Sequence, residues 1–174
     1  MQRELKMIKL RNILTEITLG AVQPYATQFV WQQTNREMWT SKIIAQGNPI
    51  TFKITMVSNS ADTYVFKYMM QNSMHGGWTI DHGTSKSLGI AAYLRIARTA
   101  FEAIMDFCRQ HAPDAIEITG SDDDMQRGQQ KSRIYHALAT SNSSILQQAG
   151  YVMQQRANKL WLIRTNKADA TGVK

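Results

Sequence analysis

The chain has a single cysteine, Cys108, in 174 residues, which excludes an internal disulfide and any zinc centre built on cysteines. A secreted, disulfide-stapled scaffold is thereby ruled out, and a reducing compartment is the expectation. Long apolar runs are also missing. None approaches the roughly 18 residues that cross a bilayer, and Met1-Gln2-Arg3-Glu4-Leu5-Lys6 lacks the apolar stretch and small-residue cleavage site of a secretory signal. No membrane partner is expected. Charged residues are scarce at 19%, and acidic ones scarcer, with 13 Asp and Glu against 20 Lys and Arg for a net charge of +7. That balance favours anionic company: nucleic acid, phosphorylated cofactors or acidic surfaces.

What the chain does have is a globular composition, 43% hydrophobic and rich in Gln, Ser, Thr and Asn. Its length suits one domain that buries about 70% of its unfolded surface. Leu5, Ile8, Leu10, Ile13, Leu14 and Ile17 recur at helical spacing among Lys6, Lys9, Arg11 and Glu16, which predicts an amphipathic basic helix over Glu4–Ile17. Gly20 and Pro24 end it. Short runs rich in β-branched and aromatic residues predict strands at Met38–Ala45, Ile50–Val57 and Thr63–Met70, joined by Gly47-Asn48-Pro49 and Ser58–Asp62 as an antiparallel meander. A loop over Gln71–Gly77 and a short strand at Trp78–His82 follow. Leu88–His111 reads as a long helix covering the sheet. Its apolar face carries Ile90, Leu94, Ala97, Phe101, Ile104 and Cys108; Arg95, Arg98, Glu102, Asp106 and Arg109 form the polar face. Beyond Pro113 come a strand at Ala115–Thr119, a polar acidic loop at Gly120–Gly128 and a helix from Gln130 to Gly150. A hairpin of Tyr151–Arg156 and Leu160–Thr165 closes the domain, and a frayed tail ends the chain. The expected fold is α/β, a mixed and mostly antiparallel twisted sheet flanked by helices, with an extra N-terminal helix. The divisions are 1–24 for helix and linker, 25–165 for the domain and 166–174 for the tail.

The loop Lys86-Ser87-Leu88-Gly89-Ile90-Ala91 lies between the meander and the long helix, and a tyrosine-bearing helix ends in Gly150-Tyr151. Over residues 36–165 this order resembles the GNAT acetyltransferase core, whose Q/R-x-x-G-x-G/A loop cradles the pyrophosphate of acetyl-CoA on backbone amides. Gly89 and Ala91 match that pattern; Lys86 stands where the family has Gln or Arg. The whole chain is similar to GNAT-like proteins of tailed phages through Pro24-Tyr25, Trp31, Trp78-Thr79-Ile80, Gly83–Ala91, Pro113-Asp114-Ala115-Ile116 and Ser132–Leu138. The resemblance implies a GNAT-like fold, a cofactor loop at residues 86–91, and a location in the cytoplasm of a bacterial host or in a virion.

Tyr135 resembles the family tyrosine that protonates the leaving thiolate, although Arg127 stands eight residues earlier, where the common pattern has Asn. Its plain alternative is a packed tyrosine with a capped hydroxyl. Glu117, on the strand after the long helix, is a general-base candidate if it faces a cleft, and otherwise a solvated strand residue. Ser121 and Asp122-Asp123-Asp124 offer oxygen ligands but diverge as neighbours in a loop, and His75, Asp81 and His82 match no metal-ligand spacing, so no metal is expected. Cys108 falls on an apolar helix face, where a thiol behaves as a small hydrophobe. Arg156, Lys159, Arg164 and Lys167 would contact nucleic-acid phosphates if they converge around the hairpin.

Three functions follow as expectations: a GNAT-like binding, virion or host-interaction protein, an acetyl-CoA-dependent N-acetyltransferase, and a basic nucleic-acid-binding accessory protein. Residues 4–17 are expected to mediate association with a protein partner or a second copy, because six apolar side chains outside the core must be buried somewhere.

Overall fold

A computed structural model describes residues 21–25, 28–46, 48–72, 78–79, 89–118, 125–156 and 159–168. The N-terminal helix expected at Glu4–Ile17, the acidic run Asp122–Asp124, His75, Asp81, His82 and the tail beyond residue 168 lie outside them.

The described chain is α/β, as its sequence pattern predicts. Strands β1 (Gln32–Thr34), β2 (Glu37–Gln46), β3 (Asn48–Ser60), β4 (Thr63–Asn72), β5 (Trp78–Thr79), β6 (Ala115–Ile118), β7 (Tyr151–Arg156) and β8 (Lys159–Arg164) form one sheet. Its order is β1-β2-β3-β4-β6-β8-β7, with β5 paired to β4 off this path. The one parallel contact is between β4 and β6, and every other described pairing is antiparallel. Helices α1 (Gly89–His111), α2 (Met125–Ser141), α3 (Ser143–Gln148) and α4 (Thr165–Ala168) complete it.

Register decides which face is which. Phe52, Ile54 and Met56 of β3 lie opposite Met70, Tyr68 and Phe66 of β4, and all six are buried, as alternation along a pleated strand requires. Phe107 of α1 meets Tyr64 edge-on at 5.0 Å, and Tyr135 of α2 meets Phe66 at 5.5 Å. Both helices therefore pack on the same face of the sheet. Ile116 and Ile118 of β6 and Leu160 and Leu162 of β8 extend that core.

Several expected boundaries move. The meander strands are longer than predicted, because Asn48 and Pro49 pair with Gln46 and Ala45 and an irregularity between Ser58 and Ser60 carries β3 almost to its turn. The turn then needs only Ala61 and Asp62, the latter at φ 60°. β1 was not foreseen; its residues are all exposed and carry no alternation to read. The helix predicted from Gln130 begins instead at Met125, inside the expected acidic loop, and divides at Asn142 into α2 and α3. Asn142 caps the break: its side-chain amide donates to the Leu138 carbonyl at 2.7 Å, and its Oδ1 accepts from Arg98 Nη1 at 2.9 Å. Gly150 then turns the chain at φ 79°, a conformation for which glycine carries no steric penalty. The tail is not frayed from its start, since Thr165–Ala168 make a helical turn.

The polar face of α1 is only partly solvated: Arg98 is 9% exposed and Thr99 is buried, while Arg109 is exposed. Gln23, Tyr25 and Trp31 meet that side. Arg95 donates to the Gln23 carbonyl at 3.2 Å and stacks 3.9 Å over the Tyr25 ring. The Tyr25 amide donates to Thr99 Oγ1 at 2.9 Å, and Trp31 Nε1 to Asp106 Oδ2 at 2.9 Å. Polar helix residues here serve a second layer of chain, which a helical-wheel reading assigns to water.

Phe107 is central to this packing, fully buried between Trp31 and Tyr64. Phe107→Ala is expected to lower stability by about 3–5 kcal/mol, read as a shift in denaturant midpoint. Val30→Ser, at a 66% exposed position, should stay within about 0.5 kcal/mol of the unsubstituted chain.

Candidate functional site

β4 and β6 are clamped at their starts. The Asp62 carbonyl accepts the Asp114 amide at 2.7 Å, and the Asp114 carbonyl accepts the Arg164 amide at 3.0 Å. Parallel pairing follows at Thr63↔Ala115, Tyr64↔Ile116 and Val65↔Glu117, the last pair among the described residues. Neither strand ends at that point. Ile118 stays paired with Leu160 of β8, and Phe66 with Met56 of β3. The next described partner of β4 on this side is β5, at Met70↔Thr79 and Gln71↔Trp78. The carboxyl ends of β4 and β6 beyond the last described pair, Val65↔Glu117, frame the candidate site, termed the wedge below.

α1 begins beside this wedge. It runs antiparallel to β4, since its late residue Phe107 meets Tyr64 and its early residue Tyr93 lies near Tyr68. Of the loop expected to hold a cofactor, Lys86, Ser87 and Leu88 lie outside the described residues, while Gly89, Ile90 and Ala91 form the first turn of α1. Amides of a first helical turn have no carbonyl partner within the helix and favour anions.

Tyrosines line the helix side of the wedge. Tyr135 is 2% exposed, Tyr68 is 6% exposed, and Tyr93 is partly buried. Phe66 separates Tyr135 and Tyr68, at ring distances of 5.5 and 6.2 Å. Burial, with added repulsion among the hydroxyls, holds the phenols of Tyr68 and Tyr135 well above the ordinary tyrosine range; burial also raises Tyr93, against a lowering by its bond to Tyr68. All three are neutral hydrogen-bond donors near neutral pH and are unsuited to act as bases. Sequence reasoning found only Tyr135. Tyr68 is hidden in strand alternation, and Tyr93 lies one helical turn past Gly89 with nothing local to mark it.

Glu117 is elsewhere. It alternates with Ile116 and Ile118, so it projects from the opposite face to Tyr135, where it is 7% exposed. Its carboxylate meets Lys159 Nζ at 2.8 Å. The expectation of a solvated strand residue is corrected: Glu117 is buried and paired with the cross-strand lysine. The two sequence-predicted catalytic residues are not brought together.

The four basic residues proposed for phosphate contact divide between the two ends of β8. Arg156 and Lys159 pair across the hairpin turn, with Arg156 held against Gln154 Oε1 at 3.1 Å. Arg164 and Lys167 lie at the other end, about 16 Å from Lys159 along the strand for Arg164, and Arg164 Nη1 is 3.8 Å from Asp114. They form no single patch around the hairpin. Among the described residues no group of three or more His, Cys, Asp or Glu is placed to hold a metal, and no helix is long and apolar enough to cross a membrane.

Comparison of the chain with protein-family models, curated proteins and solved structures finds no match.

Cys108 is buried beside Tyr151, whose hydroxyl donates to the Pro113 carbonyl at 2.6 Å. Burial pushes the thiol from an ordinary 9.0 to about 12, and Tyr151 from 10.0 to about 12. The unfolded chain releases these protons first, so in that window the folded state binds more protons and loses stability as pH rises. Denaturant midpoints should therefore fall between pH 9 and about 12. Cys108 should resist a thiol reagent at about pH 8 until the chain unfolds; a midpoint that does not fall over that range contradicts the neutral buried cluster.

Proposed function

We propose that this chain is a GNAT-like binding protein whose β4–β6 wedge takes a ligand of the acyl-coenzyme A kind, without an acid–base pair for acyl transfer. The observation that carries this reading is the parallel pair of β4 and β6 at the centre of an otherwise antiparallel sheet, joined by the crossover helix α1. Ligands of parallel sheets bind beyond the carboxyl ends of the strands, where helix starts also point. The first turn of α1, at Gly89–Ala91, suits the ligand's phosphates.

The absence of transfer machinery in this reading rests on Glu117, which is tied to Lys159 on the opposite face from Tyr135. An N-acetyltransferase that uses acetyl-CoA is the second reading, favoured by the neutral Tyr135 hydroxyl beneath the wedge. A nucleic-acid surface draws less support, because the basic residues are split along β8 and two of them face carboxylates. Action in the bacterial cytoplasm or a virion, and association through residues 4–17, follow from the sequence pattern and its resemblance.

Thermal unfolding with coenzyme A tests the reading. A ligand at 100 times its Kd stabilises by about 2.7 kcal/mol, so a clear rise in Tm is expected. Gly89→Asp should abolish that rise, since its carboxylate repels phosphate, and should leave the unliganded Tm nearly unchanged because an acid suits a helix start. No shift at millimolar coenzyme A in the unsubstituted chain overturns the proposal. Acetyl transfer to an amine that is lost in Tyr135→Phe selects the transferase reading.

A further inference from the structure

β1 and β7 stand at opposite ends of the strand order and differ in how they are protected. β1 is short, polar and wholly exposed, and short edges of this kind resist pairing with another chain. β7 is bonded to β8 and to no further strand among the described residues. Two hydrogen bonds fix which of its backbone groups point outward. The Thr165 amide donates to the Gly150 carbonyl at 2.9 Å, whereas the Arg164 amide turns the other way, to the Asp114 carbonyl at 3.0 Å. Tyr151, opposite Arg164, therefore turns its own amide and carbonyl away from β8, and by the alternation of an antiparallel ladder so do Met153 and Gln155.

Nothing in the sequence of β7 guards that row of amides and carbonyls. Tyr151-Val152-Met153-Gln154-Gln155 holds no proline, no glycine and no charge, and it pairs with β8 without a bulge; those are the devices by which edge strands discourage association. The uncharged surface extends beyond the strand. From Ile134 to Gln155 there is no Lys, Arg, Asp or Glu, in a chain of net charge +7, and α3, which leads into β7, exposes Ser143, Ser144, Gln147 and Gln148.

We infer that the outer edge of β7 is an interface for a second copy of this chain, pairing antiparallel with the same strand of the partner across a two-fold axis and continuing the sheet. A two-fold interface is self-complementary, and outward groups must meet outward groups, so the register that uses all of them centres on Met153. Met153 then faces the partner's Met153, Tyr151 faces the partner's Gln155, and Val152 faces the partner's Gln154. Arg156, the one charged residue of β7, falls opposite the partner's Gly150, so no like charges meet. A partner steered by charge finds nothing to read on this edge, whereas a copy meets an edge as uncharged as its own. The inference holds whether or not the wedge takes a ligand.

Sedimentation of the full chain at micromolar to millimolar concentration should show a monomer–dimer equilibrium; a strict monomer over that range overturns the inference. Met153→Pro removes only an outward amide and spares the ladder to β8, so it should abolish the dimer with little loss of Tm. Should that variant fail to fold, Met153→Lys sets two ammonium groups face to face and should abolish the dimer with the backbone kept. A dimer that survives in the folded variant, as one formed through residues 4–17 would, overturns the β7 interface. Cross-linking then reads the register. Cys108 is buried, so Met153→Cys supplies an accessible thiol whose symmetry mate lies about 5.5 Å away between Cα atoms, within reach of a disulfide. Mild oxidation should convert most of that variant to a covalent dimer and leave Arg156→Cys, about 20 Å from its mate, unlinked. Cross-linking of Arg156→Cys without cross-linking of Met153→Cys overturns the proposed pairing.

Discussion

The structure depends on one backbone contact, the parallel pairing of β4 with β6 and its clamp at Asp62 and Asp114. This contact joins the antiparallel meander β1–β4 to the unit of β6, β7 and β8. Without it the two halves share only the helices above them. Parallel pairing requires a crossover, and α1 supplies it, so the longest helix is buried where the two halves meet. The clamp sits at the strand starts, and the candidate site lies beyond the last described pair, Val65↔Glu117.

Burial of α1 imposes the next constraint. A helix packed against the sheet, α2 and the segments holding Tyr25 and Trp31 buries most of its length, and polar side chains buried on it need partners. Arg98 finds Glu102 and Asn142, Asp106 finds Trp31 and Gln110, and Thr99 accepts the Tyr25 amide. The Arg98–Asn142 contact reaches the break between α2 and α3 and so fixes the second helical layer to the first. Tyr135 is placed by this arrangement, as α2 is held against Phe66. The neutral tyrosines under the wedge and the inert thiol of Cys108 share one cause: hydroxyls and a thiol enclosed where an ionised form would lose its water.

Much of the fold was legible in the sequence because it is written in local periodicity. Period-two alternation in Thr63–Met70, helical spacing from Leu88 to His111 and the breaks at Pro113 and Gly150 each reflect how side chains face a core within one element. Boundaries were harder. Asn48 and Pro49 look like turn residues and are paired strand residues, because the register of β2 on β3 continues to the turn. β1 carries no alternation, since an edge strand with every residue exposed buries nothing.

The candidate site was legible only in part. Gly89 and Ala91 marked a helix start, and Tyr135 stood out by resemblance, but Glu117 was misjudged because its lysine partner lies on a different strand, 42 residues away by chain number. By itself the sequence determined the α/β class, the meander, the long central helix and a basic chain with one buried cysteine, since hydrophobic spacing and composition act over a few residues. Only the tertiary structure decided that β4 pairs in parallel with β6, that Glu117 and Tyr135 face opposite ways, and that Phe66 lies against both Tyr68 and Tyr135. Those facts depend on strand order and on which residues from distant segments meet, and no local pattern encodes either.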